Sequence, residues 1–411
     1  MYDGTSLLNY GVNIKKPFVF VAVQYRVAGF GFMPGQEIEE DGAGNAGLLD
    51  QRMGLEWVAD NIASFGGDPD KVTIWGESAG AISVFTQMAL FDGDHTYKGK
   101  PLFRGAIMSS GSIIPTKELG SPKGQAVYDQ VVESGGCADA ADTLNCLREL
   151  PYDDFLNAVS SVPHLLSFNS LALSYLPRPD GRTLTASPDV LVLQGKYAAV
   201  PMIIGGLEDE GTLFALFQSE LNTKKKLVQY FKDYYFADAT LTQLNDLVDT
   251  YGNGLAAIID NSPFGTGLMN EVFPGFKRRA SIIGDLVFTL ARRLFLTATT
   301  ALNSDVPSWS YMMSQNKGFP VLGTFHGSDI LQVFYGIKDN YAGQSMRSYF
   351  FNFVHSLDPN GNGDSGFPHW PQWSEAHKMP QIFKDKSTII SDDFRADSFK
   401  WLTENIGIIR F

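Results

Sequence analysis

Residues 65–80 read Phe65-Gly66-Gly67-Asp68-Pro69-Asp70-Lys71-Val72-Thr73-Ile74-Trp75-Gly76-Glu77-Ser78-Ala79-Gly80, and their centre, Gly76-Glu77-Ser78-Ala79-Gly80, is a G-x-S-x-G sequence. Val72–Trp75 has the apolar character of a short buried strand, and residues 79–90 read as a helix. A serine between strand and helix sits in a sharp turn that pushes its hydroxyl out at the carboxyl end of a sheet. Glycines two before and two after are expected to let strand and helix pack closely. A bare G-x-S-x-G arises by chance. The strand, the helix and the Phe-Gly-Gly-Asp-Pro lead-in make this one a nucleophile elbow rather than a glycine-rich turn whose serine only caps a helix.

Working outward, strand-like runs recur with helices between them. Phe18–Val23 is a near-continuous apolar run, predicted to be a strand buried on both faces. Residues 46–64 are predicted helical, with Leu49, Met53, Trp57, Val58 and Ile62 as the apolar face. Residues 103–108, 200–206 and 309–313 read as further strands, each followed by a polar loop. Residues 115–200 read as helices and loops. Residues 213–305 read as helical in pieces, the longest over 281–302, and helices around 343–356 and 393–405 close the chain. This alternation predicts a mostly parallel central sheet covered by helices on both faces, in a single domain over 1–411.

The chain has 411 residues, 44% of them hydrophobic and 19% charged, which is globular composition with a large core. With 45 acidic and 32 basic residues it carries a net charge of −13. Lys224-Lys225-Lys226 is its basic block, which argues against nucleic acid as a partner. No apolar run reaches membrane-spanning length, Leu286–Leu296 being broken by Arg292-Arg293. The opening MYDGTSLLNYGV lacks the basic start and apolar stretch of a signal peptide, which taken alone suggests a cytoplasmic protein. Cys137 and Cys146 suit a small disulfide loop in an oxidising compartment, or else two free core thiols.

An activated serine needs a base, and the base needs a carboxylate to hold its tautomer. Of six histidines, His326 follows a strand-like run and precedes a glycine late in the chain. His95, His164, His355, His369 and His377 lack that setting. The acid should fall between Ser78 and His326, at a strand end. Glu208-Asp209-Glu210-Gly211 fits, although spacing does not separate its three acids, and Asp329 comes after the histidine, in the wrong order. Asp358-Pro359-Asn360-Gly361-Asn362-Gly363-Asp364 matches the start of a calcium loop. His369 stands where a bidentate glutamate belongs, so the segment is read as a polar turn. No His/Cys cluster supports a metal, and no cofactor is expected.

These motifs resemble the type-B carboxylesterase/lipase family, in particular its secreted fungal lipases. The resemblance rests on residues 65–80, Asn45–Arg52, Trp57-Val58, Asn61-Ile62, Asp209-Glu210-Gly211 and Phe325-His326-Gly327-Ser328-Asp329, and covers essentially the whole chain. It implies an α/β-hydrolase fold and a serine carboxylic-ester hydrolase acting on apolar esters such as acylglycerols. Ser78 would be the nucleophile, Glu210 the acid and His326 the base, with Ala79 giving an oxyanion N–H and Glu77 and Ser110 supporting the site from behind. It also implies a Cys137–Cys146 disulfide, an Arg26–Asp50 ion pair, secretion, and transient contact with a lipid–water interface rather than a defined protein partner. Leu165, Leu166, Leu213 and Phe214 are candidates for the acyl-pocket wall, or are ordinary core.

The family's Gly-Gly-Gly-Phe type loop, which supplies further oxyanion donors, has no counterpart here. Asp3-Gly4-Thr5-Ser6 resembles what lies just after it. The expectation is therefore an N-terminally incomplete chain that lacks the oxyanion glycines, the leader, the first strands and the lid. Loss of one oxyanion donor costs about 2.7–4 kcal/mol, so the alternative is a catalytically impaired member of the fold.

Overall fold

Thr73–Glu77 (β1), Gly105–Ser109 (β2), Met202–Leu207 (β3), Ser308–Met313 (β4) and Lys378–Ile382 (β5) run parallel and lie side by side in chain order, with Ser387–Ser391 (β6) antiparallel at the far edge. The computed structural model describes residues 3–337, 340–361 and 366–411, except the side chain of Glu375. Alternation along the strands divides the core between the two faces. Ala106, Met108, Met202 and Ile204 point to one face, where Phe85 and Met88 of helix α1 (Ala79–Ala89) and Phe295 and Leu296 of helix α2 (Leu290–Leu302) cover them. Ile107, Ile203, Trp309 and Tyr311 point to the other, under Met346, Phe350 and Phe353 of helix α3 (Tyr341–Ser356). Both faces are apolar because both are covered. A third cluster, built largely from residues 213–290, holds Phe214, Phe276 and Phe288.

The arginines that interrupt the apolar run before α2's midpoint are accommodated by one carboxylate. Asp392 accepts hydrogen bonds from Arg292 Nη1 and Nη2 at 2.7 and 2.8 Å, from Arg293 Nε at 3.0 Å and from Trp373 Nε1 at 2.8 Å. Arg292 also donates to Ser310 Oγ at 2.6 Å, which explains a serine facing inward from β4. Burial alone would raise the Asp392 carboxyl; the two guanidiniums outweigh it and hold it well below the carboxylate range. Asp392→Asn would leave two buried cations undercompensated and is expected to cost about 3–5 kcal/mol, read as a lowered urea midpoint.

Several expectations are corrected. Phe18–Val23 forms no strand and joins no sheet among the described residues. Phe18 and Phe20 pack on Phe351 and Phe334, whereas Val19 and Val21 face outward. Its apolar run is thus one covered face and one exposed face, not a two-faced strand. Among the described residues β1 consequently pairs with β2 alone, and it is half-buried along its length.

The predicted helix forms over Ala46–Asn61, continued by a 3-10 turn over Ile62–Phe65, but with its face rotated. Leu48, Gln51, Arg52, Leu55 and Val58 are buried, while Met53 and Trp57 are 67% and 47% exposed. Gln51 and Arg52 go inside because they have partners: Gln51 Nε2 donates to Ser83 Oγ, and Arg52 donates to the carbonyls of Asp94 and Thr96.

The helix expected over 281–302 is Phe276–Gly284 and α2, joined by a π turn at Asp285–Thr289. The β5–β6 hairpin went unread because Lys378–Ile382 contains Pro380. The proline is tolerated because β4 pairs only with Gln381 and Ile382.

Cys137 and Cys146 form a disulfide, and Arg26 grips Asp50 with two hydrogen bonds of 2.7 and 2.8 Å at the surface. Opening a disulfide loop of this short span is expected to cost about 2–3 kcal/mol, measurable as a lower midpoint for Cys137→Ala/Cys146→Ala. Among the described residues no helix is long and apolar enough to cross a membrane. Asp358 accepts from Asn360 N at 2.8 Å and Asn360 Oδ1 from Trp370 N at 2.7 Å, a hydrogen-bonded turn. The rest of the calcium-like motif, Asn362–Asp364, lies outside the described residues.

Candidate active site

β1 ends at Glu77 and α1 begins at Ala79, so Ser78 alone makes the corner. It does so at φ 57° and ψ −120°, a backbone conformation rarely adopted by L residues and typical of strained functional turns. The corner is held by Ser78 N donating to Ser109 O at 2.9 Å and Ile82 N donating to Ser78 O at 3.0 Å. The two flanking glycines are not equivalent. A Cβ at Gly76 would lie 2.1 Å from the Gly80 carbonyl oxygen, whereas one at Gly80 would meet nothing within 4 Å. Close packing therefore requires glycine at 76 and, by space alone, not at 80.

The loops after β3 and β4 complete the constellation. Glu210 stands three residues past β3, and His326 lies in the loop that follows β4. His326 Nε2 is 2.7 Å from Ser78 Oγ, and His326 Nδ1 is 2.6 Å from Glu210 Oε2. The other Glu210 oxygen accepts from Leu207 N at 2.7 Å, which fixes the carboxylate. Glu210 is buried, and a Cβ at Gly206 would press on its Oε1 at 2.6 Å. Hydrogen bonding by Glu210 to Nδ1–H leaves Nε2 as the acceptor facing the serine, the tautomer needed by a general base.

Burial opposes charging the imidazole, but Glu210, then Glu77 and Asp329, outweigh it and hold the His326 pKa above its ordinary 6.5. Glu77 Oε1 lies 3.6 Å from His326 Nε2. An imidazole raised in this way would have to lose its proton before it could accept one from serine. The acid limb of kcat/KM is therefore expected above the pH of an ordinary histidine, with activity falling as pH drops through it, measured between about pH 4 and 9.

The three acids of the Glu208–Glu210 run go to three places. Glu208 bridges Lys317 at 2.7 Å, Asp209 binds neighbouring loops, and Glu210 reaches His326. Two of the other histidines have different partners: His95 packs on Phe103 and His377 stacks on Trp373.

Ala79 opens α1, where helical N–H groups lack intrahelical partners and the dipole favours negative charge. Ser110 is buried at φ 55°, its N–H donating to Gly205 O at 2.8 Å, beside the cradle that Gly206 leaves for Glu210. Among the pocket candidates, Phe214 touches the imidazole, with ring centroids 5.0 Å apart, and Leu213 is packed on the same cluster. Leu165 and Leu166 are 40% and 43% exposed, in a loop tied to the Phe214 segment by Gln218 Nε2, which donates to Ser167 O, Phe168 O and Phe214 O. Phe288, 4.5 Å from the His326 ring, is a neighbour that no sequence signal marked, since a phenylalanine in an apolar helix reads as core. No group of metal-ligating side chains occurs among the described residues.

The sequence model of the carboxylesterase family matches residues 1–398. A secreted triacylglycerol lipase, LIP1, of Gibberella zeae is 61% identical over 100% of this chain and 69% of its own length. Secreted lipase 1 of Botryotinia fuckeliana is 57% identical over 99% of this chain and 70% of its own. In structure, the chain superposes on the esterase EstA of Aspergillus niger with a TM-score of 0.82 and 25% identity, over 99% of this chain and 77% of that one. The strand order, the serine at the corner and a match running from residue 1 to residue 398 agree on one conclusion: the chain belongs to the carboxylesterase family and is a carboxylic-ester hydrolase of the lipase and esterase type.

Proposed function

We propose that this enzyme hydrolyses apolar esters such as acylglycerols through an acyl-enzyme formed on Ser78. The observation that carries the reading is the 2.7 Å contact of His326 Nε2 with Ser78 Oγ, backed by the 2.6 Å contact of Nδ1 with Glu210. Ser78 Oγ attacks the ester carbonyl carbon as His326 takes its proton. Glu210 holds the imidazole and stabilises the imidazolium. The Ala79 N–H, at the positive end of α1, donates to the oxyanion. The tetrahedral species collapses as His326 gives its proton to the departing alcohol oxygen. Water then attacks the acyl-serine with His326 again as base, releasing the carboxylic acid and restoring Ser78.

Apolar acyl groups are favoured by the phenyl rings of Phe214 and Phe288 against the imidazole. Contact with a lipid–water interface is supported by exposed Phe319, Leu268 and Met269, on neighbouring loops joined by the Val321 N to Asn270 Oδ1 hydrogen bond of 3.1 Å. The names of the fungal relatives support secretion.

The test is partitioning with added methanol. Two esters of one acid with different alcohols should give the same ratio of free acid to methyl ester, because both pass through one acyl-enzyme. A ratio that depends on the leaving alcohol, or no hydrolysis of a triacylglycerol emulsion, contradicts the proposal.

A further inference from the structure

We propose that Asp209 is a positioning residue that locks the loop carrying Glu210 to the loop carrying His326 and so sets the contact between them, an inference that rests on the roles assigned to those two residues above. Asp209 is 2% exposed, and its carboxylate is hydrogen-bonded to Ser262, Phe264 and Thr324 rather than to the imidazole or Ser78. It works across the gap between loops. Its Oδ2 accepts from Thr324 N at 2.9 Å while its own N–H donates to Thr324 O at 3.1 Å, a two-way pair two residues ahead of His326. Its Oδ1 accepts from Ser262 Oγ at 2.7 Å and Phe264 N at 2.9 Å, bringing in a third loop. That loop is anchored in turn, because Ser262 N donates to Ser281 Oγ at 2.9 Å on the helix Phe276–Gly284.

One feature shows that the seam is fitted to this carboxylate, and a second that the loop after it is pressed against its support. Gly323, at φ +59°, has no room for a side chain: a Cβ there would sit 2.1 Å from Asp209 Oδ2. Gly211 is pressed on the same helix, where a Cβ would lie 1.9 Å from Ala280 O. A second cross-tie, Thr212 Oγ1 donating to Leu322 O at 2.7 Å, runs alongside. Three donors converge on two oxygens, which suits an acceptor-only group. An asparagine offers one acceptor oxygen and sets an NH2 against at least one of those donors. Glu210 and His326 therefore keep their spacing because the residues beside them are paired, not through a direct bond from Asp209.

The test uses the whole chain and three substitutions: Asp209→Asn, which disrupts the seam; Gly323→Ala, which pushes on the carboxylate and keeps its charge; and Ser262→Ala, which removes one donor and keeps charge and backbone. Misplacing reacting groups by about 1 Å costs roughly 100-fold. Asp209→Asn and Gly323→Ala are expected to lower kcat about 10- to 100-fold with KM within about twofold. Ser262→Ala is expected to do the same to a smaller extent, about 3- to 10-fold.

In Ser262→Ala and Gly323→Ala, where Glu77, Glu210 and Asp329 all still face His326, the acid limb should move to lower pH, as expected when Glu210 no longer sits tightly on Nδ1. A residue that only stabilised the fold would lower the melting temperature and leave kcat and the acid limb unchanged in the folded enzyme. That result in Ser262→Ala overturns the proposal even if the other two variants do not fold. Glu210→Gln and His326→Ala separate the two claims. If both are inactive while folded Asp209→Asn and Ser262→Ala turn over like the parent, only the positioning role fails. If both keep parental activity, the assignment of the site and this proposal fail together.

Discussion

Glutamine in place of Glu210 is expected to reduce kcat about 10,000-fold with little change in KM or melting temperature. The reason is tautomeric. The carboxylate accepts at 2.6 Å from His326 Nδ1 and, through its other oxygen, from Leu207 N at 2.7 Å. In the Glu210→Gln variant the amide oxygen stays on Leu207 N, because a buried N–H needs an acceptor. The NH2 then faces Nδ1, which must become the acceptor. The proton moves to Nε2, and the face toward Ser78 becomes a donor. The imidazole can no longer take the serine proton, and the cation formed during attack loses its counter-charge. If the residual activity of Glu210→Gln is within about tenfold of the parent, Glu210 does not orient the base.

Ser78→Ala should abolish turnover more completely, by roughly a million-fold in kcat, because it removes the oxygen that His326 Nε2 contacts and that would receive the acyl group. Binding should survive, since the apolar side chains near the imidazole, Phe214 and Phe288, are untouched. The variant should therefore retain affinity for a non-hydrolysable ester analogue while losing hydrolysis. A Ser78→Ala enzyme that hydrolyses esters at the parental rate would remove the nucleophile assignment altogether. The two substitutions should not be additive: once the nucleophile is gone, altering Glu210 should cost nothing further.

The nucleophile corner was legible in the sequence because it is local: strand, serine and helix are contiguous, and Gly76 is demanded by the backbone of Gly80 only four residues on. The parallel strands were legible where both faces are covered, as in Met202–Leu207. Phe18–Val23 misled for the converse reason, since an apolar run does not say how many of its faces are covered. The face of the helix Ala46–Asn61 was misread because Gln51 and Arg52 are buried by hydrogen-bond partners 32 and 42 or more positions away, which periodicity cannot register. The choice among Glu208, Asp209 and Glu210 also depended on distant residues, Lys317, Thr324 and His326, and only folding separates them. Phe288 reaches the imidazole from the π turn at Asp285–Thr289, a break in helical register that its apolar surroundings do not announce.

The central claim is that Ser78 is the activated nucleophile, and the most direct measurement is covalent. The folded enzyme, treated with an excess of a serine-reactive alkyl phosphonate and digested, should carry one phosphonyl group per chain, on the peptide containing Ser78. Labelling and loss of ester hydrolysis should proceed at one rate, and that rate should collapse in His326→Ala. A folded enzyme that hydrolyses esters yet stays unlabelled at Ser78, or takes the label on another residue, would contradict the account.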